Sequence, residues 1–207
     1  MKVKVCGLNS LENIKALPLE DIDFLGFIFY PKSPRNVTIV PDRSFMQLTS
    51  THSRTGVFVN APVSLIIRNV FAYGLNTVQL HGNESPDICK ELKEQSLVVI
   101  KAFSVSHKFD FQTVEQYESV VDYFLFDTPT KAYGGSGHQF DWSVLKGYNG
   151  HVPFFLSGGI GPDDAAQIKA FYHKKFAGID LNSRFEVRPG VKDSLQLMKF
   201  LKEVKSK

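Results

Sequence analysis

The stretch Val121–Phe140, VDYFLFDTPTKAYGGSGHQF, decides how the rest of the chain is read. An apolar run ends on a single carboxylate, Asp127, and passes straight into a turn and a glycine-rich loop. A strand with hydrophobic neighbours on both faces leaves no room for an ionised group. A carboxylate at its last position, facing Gly134-Gly135-Ser136-Gly137, therefore reads as a reaction centre beside an anion cradle.

Outward from this stretch the same unit repeats: a short apolar strand, a loop, then a helical pattern. The strands expected are Lys2–Cys6, Asp23–Tyr30, Arg54–Asn60, Thr77–His81, Leu97–Phe103, Val121–Asp127, Val152–Leu156 and Phe176–Leu181. Helix starts are marked by Ser10, Asp42, Pro62, Ser85-Pro86, Asp141 and Pro162-Asp163-Asp164. A weaker helix is expected over Phe111–Ser119 and a last one over Lys192–Val204, while Pro31-Lys32-Ser33-Pro34-Arg35 must be a loop. Alternating βα units imply parallel strands joined by right-handed crossovers. Eight of them in 207 residues predict a single (β/α)8 barrel domain, at the small end of that fold's range. An open doubly wound sheet, with its usual five or six strands, is the rival that strand count disfavours.

Composition narrows the class. Hydrophobic residues make up 43% and charged residues 22%, and the net charge of +3 is spread along the chain. That is ordinary globular make-up. The clustered lysines Lys199, Lys202, Lys205 and Lys207 read as a solvated helix face, so nucleic acid is not the expected partner, and without an apolar run of about 18 residues no membrane span is expected. Cys6 and Cys89 have no paired spacing, which argues against a disulfide framework or a zinc site. A cytoplasmic setting is expected, with the chain a monomer or homodimer. Phe45, Tyr73 and Phe171 are apolar residues that an interface or lid could use.

In a βα barrel the active face lies at the strand C-termini. That rule selects Cys6-Gly7, Arg35, Asn60, Gln79 with His81, Asp127, Ser157-Gly158-Gly159 and Asp180, each of which closes an apolar run. Two loops, Gly134-Gly135-Ser136-Gly137 and Ser157-Gly158-Gly159-Ile160, expose backbone N–H groups suited to a phosphate. Asn182-Ser183-Arg184 stands where a short phosphate-binding helix would begin after strand eight.

These segments together resemble the phosphoribosylanthranilate isomerase family of tryptophan biosynthesis. The matching stretches are Lys4-Val5-Cys6-Gly7, Gly26-Phe27-Ile28-Phe29 with Ser33-Pro34-Arg35, Gly56-Val57-Phe58-Val59-Asn60 and Val78-Gln79-Leu80-His81-Gly82. They continue with Phe126-Asp127, Gly134-Gly135-Ser136-Gly137, Phe140-Asp141-Trp142, Leu156-Ser157-Gly158-Gly159-Ile160 and Pro189-Gly190-Val191-Lys192-Asp193. One departure is Arg184, which stands where the family usually has glycine.

The resemblance implies an Amadori rearrangement of N-(5-phosphoribosyl)anthranilate, with Cys6 as general base and Asp127 as general acid. It assigns no cofactor and no metal. Arg35, Gly134, Gly135, Gly158, Gly159, Asp180, Asn182 and Ser183 are the expected substrate-binding residues, Arg35 for the anthranilate carboxylate and the glycines for phosphate.

Other readings stay open at this point. Cys6 could be a small buried hydrophobe and Asp127 a turn starter. His81 reads as structural, Asp180 as an orienting or capping residue, and Glu186, Arg188 and Asp141 as caps and surface pairs. A different phosphosugar barrel enzyme, an epimerase or synthase, would need a metal set or a strand-end lysine, for which Lys101 is the candidate. A non-catalytic phosphate-binding module would need the glycines alone.

Overall fold

Each apolar run of the sequence becomes a strand, and each strand is parallel to its neighbours. A computed structural model describes residues 1–129 and 139–206. The strands are β1 (Lys2–Val5), β2 (Phe24–Ile28), β3 (Ser53–Phe58), β4 (Thr77–Leu80), β5 (Val98–Ser104), β6 (Tyr123–Asp127), β7 (Phe154–Leu156) and β8 (Phe176–Leu181). They pair in sequence order, and β8 pairs with β1 to close the ring. This is the expected (β/α)8 barrel.

The helices around the ring are α1 (Leu11–Lys15), α2 (Arg43–Leu48), α3 (Val63–Tyr73), α4 (Pro86–Glu94), α5 (Gln112–Glu115), α6 (Ala165–Ala170) and α7 (Ser194–Lys205). Ser10, Asp42, Ser85 and Asp193 cap four of them by accepting a backbone N–H from the first turn. Gly74 ends α3 in the left-handed region, at φ 56°.

Several boundaries differ from the sequence reading. The Asp141 segment is a 3-10 helix, Trp142–Gly147, and the weak helix near Phe111 contracts to four residues. Lys192 does not open the last helix. It lies in β10 (Val191–Lys192), which forms an antiparallel hairpin with β9 (Glu186–Arg188) and turns the lysine into the protein. Phe45 is no surface residue: it is fully buried against Phe27 and Tyr73. Cys89 packs inside α4.

Strand alternation divides the core in two. Outward-facing residues such as Val3, Val5, Phe124 and Phe126 join the helices in one large apolar layer. Inward-facing Phe24, Ile100, Ala102, Leu125 and Phe155 form a smaller one. The barrel interior also holds charge, because Lys4 and Asp180 face each other across the β1–β8 seam. Among the described residues no helix is long and apolar enough to cross a membrane.

Candidate active site

A cavity opens at the strand C-termini, and Cys6, Arg35, Asp127, Gly158, Gly159, Asp180, Asn182 and Ser183 all line it. Eight of the ten residues selected from the sequence thus share one space. Gly134 and Gly135 lie outside the described residues. Ile28, Tyr30, Val57, Val59 and Ile160 supply an apolar wall.

Cys6 follows directly on β1, and its N–H donates to the Leu181 carbonyl at 2.9 Å, which fixes it to β8. Its side chain occupies space left by Gly26: a Cβ there would stand 2.9 Å from both the Cys6 Cα and Sγ. The next residue, Gly7, has φ +79° and packs so closely on Asn182 and Arg35 that only glycine fits. Burial pushes the Cys6 thiol up. The Lys4 ammonium opposes that rise and the Asp180 carboxylate adds to it.

Asp127 ends β6, as read from the sequence. Its Oδ1 accepts the Thr128 N–H at 2.8 Å, and its Oδ2 lies 3.3 Å from His81 Nε2. Gly158, at φ +86°, closes over it; a Cβ would come within 2.7 Å of Asp127 Oδ1 and 2.5 Å of the Thr128 nitrogen. The His81 ring is in turn met by Gln79 Nε2 at 3.4 Å from Nδ1. Gln79 is buried in the cavity wall, and among the described residues its Oε1 has no partner.

Arg35 is held firmly. Its guanidinium donates to both oxygens of Glu186, with Nη2 to Oε2 at 2.7 Å and Nε to Oε1 and Oε2 at 3.0 and 2.9 Å. Lys192 Nζ donates to the same carboxylate and to Asn182 Oδ1, each at 2.8 Å. Burial works against ionised Glu186, but Arg35 and Lys192 together hold its carboxyl below the usual range. Glu186 is therefore no surface pair: its side chain is 3% exposed. The hairpin of β9 and β10 carries it inward, an effect that local periodicity does not reveal.

Among the described residues Asp180 caps no helix. It accepts from Lys4 Nζ at 2.8 Å and from Ser157 Oγ at 3.1 Å, tying β8 to β1 and to the loop after β7. Lys101, the strand-end candidate, lies in mid-strand and is absent from the cavity wall. It is buried with Glu84 at 3.2 Å, and its ammonium also donates to the carbonyls of Leu80, Gly82 and Ala102. The Arg184 guanidinium lies over Gly161, beyond the glycine turn after β7. Lys4, Glu186 and Lys192 were not selected as site residues, because a lysine or glutamate within a short strand pattern reads as solvent-facing. Among the described residues no group of three or more His, Cys, Asp or Glu side chains could hold a metal ion.

Comparison with known proteins fits this geometry. The N-(5'phosphoribosyl)anthranilate (PRA) isomerase family profile matches residues 3–203. An N-(5'-phosphoribosyl)anthranilate isomerase of Parabacteroides distasonis is 46% identical, over 99% of this chain and 93% of that one. The crystal structure of phosphoribosyl anthranilate isomerase from Thermotoga maritima superposes with a TM-score of 0.84 at 34% identity, covering 99% of this chain and 98% of its own. A phosphoribosyl anthranilate isomerase in complex with reduced 1-(o-carboxyphenylamino)-1-deoxyribulose 5-phosphate superposes at 0.80 with 32% identity, covering 99% and 98%. The chain belongs to the N-(5'-phosphoribosyl)anthranilate isomerase family.

Proposed function

We propose that this cavity converts N-(5-phosphoribosyl)anthranilate into 1-(2-carboxyphenylamino)-1-deoxyribulose 5-phosphate, with Asp127 as acid and Cys6 as base. The observation that carries the reading is that a thiol on the β1 edge and a carboxylate on the β6 edge line one cavity, on well-separated strands of an eight-strand ring. One small sugar then lies between them.

Asp127 delivers a proton to the ribose ring oxygen, the ring opens, and a protonated Schiff base forms. Cys6 as thiolate removes the proton from C2′. The enolamine that results tautomerises to the keto product. Arg35, pre-oriented by Glu186, meets the anthranilate carboxylate with a fork of N–H donors. The turn at Gly158 and Gly159, both in the left-handed region, turns backbone toward the cavity and with Asn182 and Ser183 receives the phosphate. Asp180 acts from beneath the floor by fixing Lys4 and Ser157. A cytoplasmic setting accords with such a biosynthetic step.

Anthranilate fluorescence falls as substrate is converted, which gives a direct assay. Cys6→Ser and Asp127→Asn should each lower kcat/KM by about 10²-fold or more, the ordinary scale for a general acid or base. Near-normal turnover in either variant overturns that residue's role.

A further inference from the structure

A thiol is a poor base until it is ionised, and the cavity floor beneath Cys6 is charged. Lys4 is 0% exposed inside the barrel. It sits two residues before Cys6 on the same strand, so both side chains point inward, about 7 Å apart at their backbones. Its Nζ is held at 2.8 Å by Asp180, which Ser157 braces from the other side. Asp180 is also the residue paired with Lys4 in the β1–β8 register.

Other charges face the sulfur from elsewhere. Lys192 approaches from β10 and Arg35 from the loop after β2; Asp127 and His81 stand on the far cavity wall. Lys4 is matched by Asp180, but Arg35 and Lys192 share the single carboxylate of Glu186. The buried groups on the Cys6 side therefore carry one positive charge in excess.

We propose that Lys4 is the positioning residue that makes Cys6 usable as a base: its ammonium, anchored by Asp180, lies beneath the sulfur and stabilises the thiolate. The lysine touches no substrate. Asp180 first, and the sulfur after it, hold the Lys4 ammonium above its ordinary range against the cost of burial, and the lysine in turn works against the rise that burial imposes on the thiol. Asp180 keeps the lysine charged while weakening its pull on the sulfur. The inference rests on Cys6 being the base, but it can be tested without turnover.

The test is an ultraviolet titration of thiolate absorbance in a Cys89→Ala background, with the Cys6→Ser protein subtracted. Removing a cation at this range should move the Cys6 midpoint upward by about one pH unit or more in Lys4→Gln. The pH at which kcat/KM rises should move with it. Lys4→Arg should restore most of both. Lys4→Gln leaves Asp180 buried without its cation, so the doubly neutral Lys4→Gln/Asp180→Asn protein serves where the single variant fails to fold; its midpoint should also lie above the parent's, by less. An unchanged Cys6 midpoint in the folded variant overturns the proposal. A shifted thiol midpoint without a matching shift in the activity profile overturns Cys6 as the base and leaves the electrostatic coupling intact.

Discussion

Glu186→Ala removes the one carboxylate that two buried cations share. Arg35 loses three donor contacts of 2.7–3.0 Å and Lys192 loses one of 2.8 Å, with the Gly190 N–H also left unmatched at 3.1 Å. With the Glu186 side chain 3% exposed and that of Lys192 0% exposed, water cannot replace the lost partner without opening the hairpin. Breaking a buried pair by deleting one partner costs about 3–5 kcal/mol. For a chain of this size each kcal/mol lowers Tm by about 2–4 °C, so the midpoint should fall by roughly 6–20 °C. Catalysis should suffer separately. Arg35 is free to turn away from the place proposed for the anthranilate carboxylate, so KM for substrate should rise more than kcat falls. Differential scanning fluorimetry gives the first quantity and the fluorescence assay, run well below the new Tm, gives the second. A Tm within about 2 °C of the parent together with an unchanged KM refutes the claim that Glu186 orders this corner.

Glu186 also predicts an acid limit to stability. Its folded carboxyl titrates below the ordinary value because Arg35 and Lys192 outweigh the effect of burial. A depressed carboxyl contributes stability above its unfolded pKa, near 4.3, and loses it as pH falls toward the folded value. Urea midpoints should therefore drop below about pH 4 in the parent, and this part of the drop should be absent in Glu186→Gln. Gly158→Ala forces a side chain into backbone at φ +86° and within 2.7 Å of Asp127 Oδ1. The strain costs about 1–3 kcal/mol, and displacing Asp127, the proposed acid, should cut kcat by about 10²-fold, read as a kcat loss larger than the KM change; normal kcat would sink the packing argument. Lys101→Met strands Glu84 outside the cavity and should lower Tm by roughly 6–20 °C while kcat at low temperature stays near the parent's. A comparable loss of turnover would revive Lys101 as a catalytic lysine.

The barrel was legible because its signal is repetitive: eight apolar runs, with caps such as Ser10, Asp42 and Ser85 where helices begin. The places of Cys6, Asp127 and Asp180 on the cavity wall were legible because each is a polar residue at the close of an apolar strand, a position the fold turns toward the cavity. The charged floor was not. Nothing near Lys4 in sequence announces Asp180, its partner 176 residues away, and a lysine in a strand pattern ordinarily reaches solvent. Glu186 and Lys192 were misread for a related reason. The short β9–β10 hairpin interrupts the βα rhythm, and only its fold-back shows which side chains turn inward. Lys101 failed in the opposite way: its place near a strand end suggested chemistry, yet alternation sends it to the helix side, where Glu84 holds it.

The seam between β1 and β8 has a consequence for the protein's manufacture. The ribosome makes the thiol strand early and the carboxylate strand late, and the pair Lys4–Asp180 spans 176 residues. At a synthesis rate of about 5–20 residues per second, the first strand waits roughly 9–35 s for its partner. Throughout that interval Cys6 lacks the strand that accepts its backbone N–H and the carboxylate that anchors its neighbouring ammonium. The nascent chain thus carries the Cys6 thiol uncovered and without its electrostatic setting, and both arrive only when the ring shuts.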